Sequence, residues 1–337
     1  MVTYRGYQTN VMYTAETAYG TAAGAPDTAI KGRIQTVTIN QNNNLIRVAA
    51  LGEGRNETFV GFGNYSVDWS MEWYLGDPDF LEFGLGLKAG SGTTAAPYTI
   101  EEKEYIDYST GMKSFSMSVG SEDVSATDDN DVISGCIMNT IGLTCEVGGA
   151  LTCSLSGFGK SVTSSTTAAA FTADTTKLWI FTQGAFKWNS TAVGRCKSFT
   201  ININNSFDPD VARELGSRTI PEVAPGLRKY DWVAVVKMTD TVATTLRTAF
   251  YGKAAALAPD PGVIAAEPTF YDLIFNFAQG AVSTNKILQI LLSGCAINDI
   301  SKPVNIGENL VEVTINGTAK AGTTDTTNKT IKWYTVT

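Results

Sequence analysis

The sequence predicts an all-β fold with two tandem domains, each a β-sandwich or barrel-like unit with one short flanking helix. Apolar and polar residues alternate with a period of two along several segments, which is typical of strands that bury one face. Similar stretches also recur in the same order in both halves of the chain. A chain of 337 residues is long enough for two domains that each bury a core.

The repeated stretches predict an internal duplication. Residues 32–43 read GRIQTVTINQNN and residues 194–205 read GRCKSFTININN, with seven identities in twelve positions. The frame SGCIMN at residues 134–139 returns as SGCAIN at residues 293–298. Further matches keep the same order: Arg55 with Arg218, Gly63 with Gly226, Asp68 and Trp69 with Asp231 and Trp232, and Asp77 with Asp240.

The repeat distance of about 160 residues makes each copy a domain and not one unit of a solenoid. We expect the first domain at residues 1–160, the second at residues 176–337, and a Ser/Thr/Ala-rich surface linker at residues 161–175. The C-terminal residues 320–337 depart from a clean duplication, because the first copy has only the linker at that point.

Each copy carries strands with one apolar and one polar face. Trp69, Trp73 and Trp232 fall on the apolar faces, which predicts an antiparallel sheet with its tryptophans buried. The clearest alternating segments are residues 36–42, 66–73, 113–119, 198–204 and 271–277.

Helix signals are few. Asp77 followed by Pro78 is a good N-cap and first-turn pair for a helix through DFLEFGLG. The matching segment of the second copy begins at Asp240, and Gly252 can end it.

A long segment separates the first two strands of each copy, at residues 42–57 and 204–221. Loops of this length inside a compact domain are usually functional, and both of these carry apolar side chains that free solvent would not favour. We expect them to dock onto something else. The contact candidates are Leu45, Ile46, Val48, Arg55, Phe207, Val211, Arg218 and Ile220.

The composition excludes several classes of function. The net charge of -8 argues against a protein that grips nucleic acid, and the absence of histidine removes Ser-His-Asp and Cys-His catalysis and every His-ligated zinc site. No apolar run is long enough to span a membrane, and the first residues do not resemble a signal peptide, so we expect folding in a cytoplasm. The five cysteines are expected to be reduced and buried.

Three motifs invite a chemical interpretation, and each has a simpler one. SGFGKS at residues 156–161 lacks the first glycine of a phosphate-binding loop. Cys145 and Cys153 alternate with apolar residues around Gly148 and Gly149, which favours a hairpin in the core over a zinc site. The acidic clusters at residues 77–79 and 128–131 are explained by a helix cap and an exposed turn. We expect no catalytic residue, no metal and no cofactor.

The polar strand faces are almost free of basic residues: none in the first copy, and only Lys237 in the second. An ordinary solvated face rich in good strand formers has this composition. A hydrated surface that must not bind phosphate groups would have the same composition.

The chain resembles the tail tube proteins of tailed bacterial and archaeal viruses, in the form with two tube domains in one chain. The resemblance rests on ETAYGTA at residues 16–22, on GEGRNETFVGFGNYSVDWSMEWYLGDPDFLEFGLG at residues 52–86, and on the GC-containing strand and hairpin, followed by a second copy. It implies that six domains from three chains form a ring, and that stacked rings form the tube through which the viral DNA leaves the capsid.

The resemblance also implies roles for residues. The long segments and the termini, residues 1–25 and 320–337, would contact neighbouring rings. The implied partners are further copies of the chain, other tail proteins (terminator, tape measure, baseplate or tip), and double-stranded DNA in passage without specific binding, with no membrane. Candidates for the polar face of the lumen are Thr36, Thr38, Asn40, Ser114, Ser116, Ser118, Ser198, Thr200 and Asn202.

The sequence supports a structural virion protein best, and two other classes stay open. A soluble carbohydrate-binding or adhesive β-sandwich would place aromatic side chains in an exposed groove. A carboxylate enzyme such as a glycosidase would need two acids facing each other in a cleft.

Overall fold

The computed structural model shows a nearly all-β chain in which every pairing between named strands is antiparallel. The structure describes residues 9–49, 57, 59–103, 106–109, 111–121, 128–166, 174–189, 191–192, 196–237, 239, 246, 250, 270–279, 286–302, 311–320 and 329–335.

The described residues of the first half form thirteen strands and the short helix. The strands are β1 (Thr9–Ala18), β2 (Thr21–Ala22), β3 (Thr28–Ala29), β4 (Gly32–Asn42), β5 (Ile46–Val48), β6 (Phe59–Gly61), β7 (Ser66–Leu75), β8 (Gly86–Ala89), β9 (Tyr98–Glu102), β10 (Phe115–Ser121), β11 (Asp129–Glu146), β12 (Thr152–Gly159) and β13 (Ser161–Ser165). A 3-10 turn at Pro78–Leu81 leads into α1 (Glu82–Leu85).

The second half contributes eight strands among its described residues. They are β14 (Gly184–Trp188), β15 (Thr191–Ala192), β16 (Cys196–Asn204), β17 (Lys229–Lys237), β18 (Tyr271–Gln279), β19 (Lys286–Ser301), β20 (Glu312–Ala319) and β21 (Thr330–Thr335). A second 3-10 turn lies at Phe181–Gln183.

One sheet runs through both halves, and we call it the wide sheet. Its first four members lie in the order β4, β7, β12 and the C-terminal part of β11. The next four repeat this order as β16, β17, β20 and the C-terminal part of β19. The pairing of β11 with β16 joins the two groups.

The long strands β11 and β19 each belong to two sheets, because each bends within the repeated SGC frame. Gly135 and Gly294 have φ of 66° and 67°, in the left-handed region that favours glycine. The register shifts at the same place in both halves, where Cys136 pairs with Phe115 and Cys295 pairs with Tyr271. The cysteines themselves are buried, so the frame marks a bend and not a reactive thiol.

Flanking sheets cover the apolar face of the wide sheet. One has the order β3, β1, β10, the N-terminal part of β11, and β13. The other has the order β8, β9, β21, the N-terminal part of β19, β18, β14 and β15. In the first of these sheets β13 pairs with the N-terminal part of β11, and in the second β21 pairs with the N-terminal part of β19.

The core between these sheets is aromatic. Trp69, Trp73 and Trp232 are at most 2% exposed, which confirms the predicted apolar faces. Phe80 of the 3-10 turn packs edge-on against Phe115, with ring centroids 5.0 Å apart. The predicted start of this helical segment is confirmed, because the Asp77 side chain accepts a hydrogen bond from the backbone N–H of Asp79 at 3.2 Å.

Three expectations about the chain's organisation change. Residues 161–165 of the predicted linker form β13, because Val162 and its neighbours pair with β11. The C-terminal residues 330–335 are a strand in the corresponding place against β19. Residues 9–18 and 21–22 of the N-terminal segment that was expected to contact neighbouring rings form β1 and β2. Most of the second predicted helix, residues 240–252, lies outside the described residues.

Candidate assembly interface

The face of the wide sheet opposite the core is polar. Thr38 of β4 lies directly across from Ser70 of β7, and the side chains of both are exposed. Thr36, Thr38, Asn40 and Asn202 are exposed on this face, and Ser198 and Thr200 are half-buried there. The alternation of β4, β7 and β16 therefore places six of the nine predicted lumen residues on one surface.

Acidic groups outnumber basic groups on this face. Asp68, Glu72, Glu146, Asp231 and Asp299 are exposed there. Besides the half-buried Lys237, the second half also places Lys229 on this face, since Lys229 pairs with Asn204. The first half was expected to have no basic residue here, but the exposed Arg33 of β4 pairs with Tyr74 on this face. Lys197 lies at a register shift of β16, and its ammonium group contacts both carboxylate oxygens of Glu312 at 2.9 Å.

Ser114, Ser116 and Ser118 do not belong to this surface, so that prediction was wrong. All three are buried: Ser116 and Ser118 lie on β10, which pairs with β1 and β11, and Ser114 directly precedes β10. The buried carboxylate of Glu16 accepts hydrogen bonds from the hydroxyls of Ser114 and Ser116, the latter at 2.7 Å. Alternation alone cannot distinguish a wet polar face from one buried around a carboxylate.

The joint between β11 and β16 shows how one half of the chain attaches to the other. The paired residues run from Thr140 with Asn204 to Glu146 with Ser198. Asn139 extends the joint, since its carbonyl accepts from the Asn205 N–H at 2.8 Å and its side-chain oxygen accepts from the Phe207 N–H at 2.9 Å. Backbone ladder bonds and several side-chain bonds, among them that from the Thr144 hydroxyl to the Thr200 hydroxyl at 3.4 Å, therefore hold the two groups of four strands together.

Part of the segment after β16 packs over the first half of the chain. Phe207 and Ile220 are buried in a cluster with Met112, Ile137 and Phe158. These two contact candidates are therefore corrected: their apolar surface is satisfied within the chain.

Arg218 is also engaged within the chain, which corrects its place among the candidates for contact with another molecule. Its guanidinium donates to the Gly63 carbonyl at 3.1 Å and to the Asn43 side-chain oxygen at 2.8 Å. It also lies 4.8 Å from the centre of the Phe62 ring. Its counterpart Arg55 lies outside the described residues.

The other contact candidates are exposed. Leu45, Ile46 and Val48 lie at and beside the hairpin of β5 and β6, together with exposed Phe59 and Val60. Val211 is exposed on the segment after β16. The side chains at and beside the hairpin form an apolar surface for which the described part of the chain supplies no cover.

The wide sheet has two open edges. Among the described residues, β4 pairs with β7 alone, and Asp299–Ser301 of β19 pairs with β20 alone. Val37 and Ile39 at the β4 edge are half-buried, whereas the matching Phe199 and Ile201 of β16 are buried beside β11. The open edge of β4 therefore corresponds to the edge of β16 that pairs with β11, and we call it an edge of the β16 type. The open edge of β19 corresponds to the edge of β11 that pairs with β16, and we call it an edge of the β11 type.

A buried group of charges fixes the seam between the halves. The carboxylate of Glu102 on β9 lies 3.8 Å from the Arg228 guanidinium and 3.6 Å from the Lys329 ammonium. Arg228 also donates to the Asn205 side-chain oxygen, whose amide group donates to the carbonyls of Gly84 and Met138 at 2.9 Å each. Burial lowers the pKa of Lys329, and the charge of Glu102 opposes that shift.

The side chains that sequence reasoning missed are Asn139, Glu16 and Glu102. The repeated SGCxxN frame ends in asparagine in both copies, which was the available signal for Asn139, but the frame was used only as evidence of a repeat. The partners of Glu16 and Glu102 lie far along the chain, so no local spacing reveals them.

Four of the five cysteines are buried, and the fifth, Cys196, is half-buried. Burial raises the pKa of Cys145 to about 11 and that of Cys196 to about 12, so both thiols stay protonated near neutral pH. No group of three or more metal-ligating side chains occurs among the described residues. No helix in the same residues is long and apolar enough to span a membrane.

Comparison with known proteins identifies the family. A family model described as phage tail tube protein matches residues 6–319, which is most of the chain. No curated protein matched.

Proposed function

Because the chain belongs to the phage tail tube protein family, a family of structural tail proteins and not of enzymes, we propose that it closes into rings that stack into a tube for viral DNA. The observation that carries this proposal is the pair of open edges of the wide sheet. Inside the chain, an edge of the β11 type and an edge of the β16 type already meet. The same two types remain open at the ends of the sheet.

A head-to-tail contact between the two open edges would continue the sheet from chain to chain. Such a contact uses two different surfaces, so it forms a ring when the rotation closes. Closure removes the unpaired edges that otherwise invite uncontrolled association. We infer that three chains close one ring of six four-stranded units.

The ring proposal includes the duplication. Three features support it: the repeated strand order in the wide sheet, the matching bends at Gly135 and Gly294, and β13 and β21 in corresponding places. On this proposal the domains keep the expected ranges of residues 1–160 and 176–337, except that β13 is added to the end of the first, which leaves residues 166–175 as the linker.

The polar face of the wide sheet would then line the lumen. Its acidic groups, with few lysines, suit double-stranded DNA that must slide, because fixed cations would neutralise phosphates and hold it. The exposed hairpin of β5 and β6 would contact the next ring, and the tube ends would contact other tail proteins. Assembly would take place in the host cytoplasm, with the finished tube in the virion.

Electron microscopy and light scattering of the purified protein test this function. We expect rings or tubes with threefold symmetry and six repeated units per ring as concentration rises. A particle that stays monomeric at every concentration would overturn the proposal, and so would a ring of six chains.

A further inference from the structure

We propose that Asn298 of one chain hydrogen-bonds to residues 43–45 of the next chain and sets the register in which the two open edges pair. We call this contact the lock. This inference rests on the ring proposed above and names the contact that makes it. The side-chain oxygen of Asn298 accepts the Leu45 N–H, and its carbonyl accepts the Asn43 N–H. Asn40 then lies opposite Ser301.

The pairing of β11 with β16 inside the chain is the model for this contact between chains. Asn139 lies at a register shift of β11, between the pairs of Met138 with Gly157 and Thr140 with Ser156. This bulge turns Asn139 away from β12 and toward the segment after β16. There it binds the N–H groups of Asn205 and Phe207.

Asn298 occupies the corresponding position at the open edge. It lies at a register shift of β19, between the pairs of Ile297 with Gly317 and Asp299 with Asn316. The SGCxxN frame places it three residues after Cys295, as Asn139 follows Cys136. Asn298 is exposed, whereas Asn139 is partly buried by its partners.

The donor side of the lock is already formed in the free chain. Asn44 and Ser206 both have positive φ, 45° and 52°. The Asn44 N–H donates to the Asn42 side chain at 2.9 Å, and the Ser206 N–H donates to the Asn204 side chain at 2.8 Å. Leu45 thus stands where Phe207 stands, with its N–H directed by the same turn.

The turn is held in the same way in both halves. A Cβ on Gly63 would lie 2.1 Å from the Asn44 carbonyl oxygen, and one on Gly226 would lie 1.9 Å from that of Ser206. Only glycine permits these close approaches. The donor segment therefore costs little ordering on binding, which favours a specific contact.

Disulfide trapping tests the register. The ladder bond from Asn205 to Asn139 makes Gly142 and Asn202 a pair without ladder bonds, because bonded and non-bonded pairs alternate. In the contact between chains, Asn40 corresponds to Asn202 and Ser301 corresponds to Gly142. They would form a pair without ladder bonds, whose Cβ atoms lie close enough for a disulfide when both residues are cysteine.

We expect the double variant N40C/S301C to form covalent dimers and trimers under mild oxidation, and each single variant to stay uncrosslinked. N40C/D299C, two residues out of register, is the matched control and should crosslink poorly. Efficient crosslinking of the control with none in N40C/S301C would overturn the inference.

Substitution of Asn298 tests the lock itself. We expect N298A to weaken association of chains about fivefold per contact, because one hydrogen bond is lost, and N298D to retain it because a carboxylate oxygen also accepts. Asn298 is exposed, so the thermal unfolding of the monomer should be unchanged.

The outcomes separate the two proposals. Rings that form normally with N298A and crosslink in another register would overturn the lock and leave the ring standing. A wild-type chain that never associates would overturn the ring, and the lock with it.

Discussion

Single residues fix the bends and joints of this fold, and Glu16 is the clearest case. It is 3% exposed, and its two oxygens also accept the N–H groups of Gly20 at 2.8 Å and Gly135 at 2.7 Å. Glu16 thereby ties the segment after β1 to β10 and to the bend of β11. Glu16 is the first residue of ETAYGTA, one of the stretches that carry the resemblance.

We predict that E16Q lowers the free energy of unfolding by about 1 to 3 kcal/mol. The amide group of glutamine would face two donors, and a buried donor left unsatisfied costs about that much. Urea unfolding measures the change. The control E72Q removes an exposed carboxylate from β7 and should stay within about 0.5 kcal/mol of wild type. Equal stability of E16Q and wild type would contradict this role.

At the scale of elements, the last strand is a structural part of the fold and not a free arm. β21 lies between β9 and β19, so it joins a strand of the first half to the second half. Ile331 and Trp333 face the core, and the Trp333 ring lies 5.3 Å from that of Tyr98. Sequence comparison of the two copies misses this, because the matching strand β13 lies in a stretch that looks like a linker.

We predict that I331A destabilises the chain by about 2 to 5 kcal/mol, because it leaves a cavity under β21. K332A on the opposite face of the same strand should change stability by less than about 0.5 kcal/mol. Chemical unfolding of both variants measures the difference. Similar stability of I331A and K332A would mean that β21 is not packed as described.

At the scale of the whole molecule, the proposed function depends on which face of the wide sheet points into the tube. The structure gives this sheet one apolar face against the core and one polar face toward solvent, on which acidic groups outnumber basic groups. In the proposed ring, the polar face surrounds the DNA.

We predict that T38K/S70K makes assembled rings retain short double-stranded DNA, with an affinity that falls steeply as salt rises. Two lysines at this cross-strand pair, repeated around the ring, would neutralise phosphates. Filter retention at several salt concentrations measures the effect. The control T17K/T163K adds the same charge at exposed positions of β1 and β13 in a flanking sheet. Equal retention by both variants would contradict the lumen assignment.

The sequence by itself determined the all-β class, the two faces of most strands, the first helix and the repeated order of segments. Periodicity and turn chemistry are local, so they can be read along the chain. The tertiary structure alone decided that Ser114 is buried, that Phe207 and Arg218 bind within the chain, that residues 161–165 are a strand, and that two edges stay open. These features depend on which distant strands pair and where long strands bend, and local patterns carry no record of that.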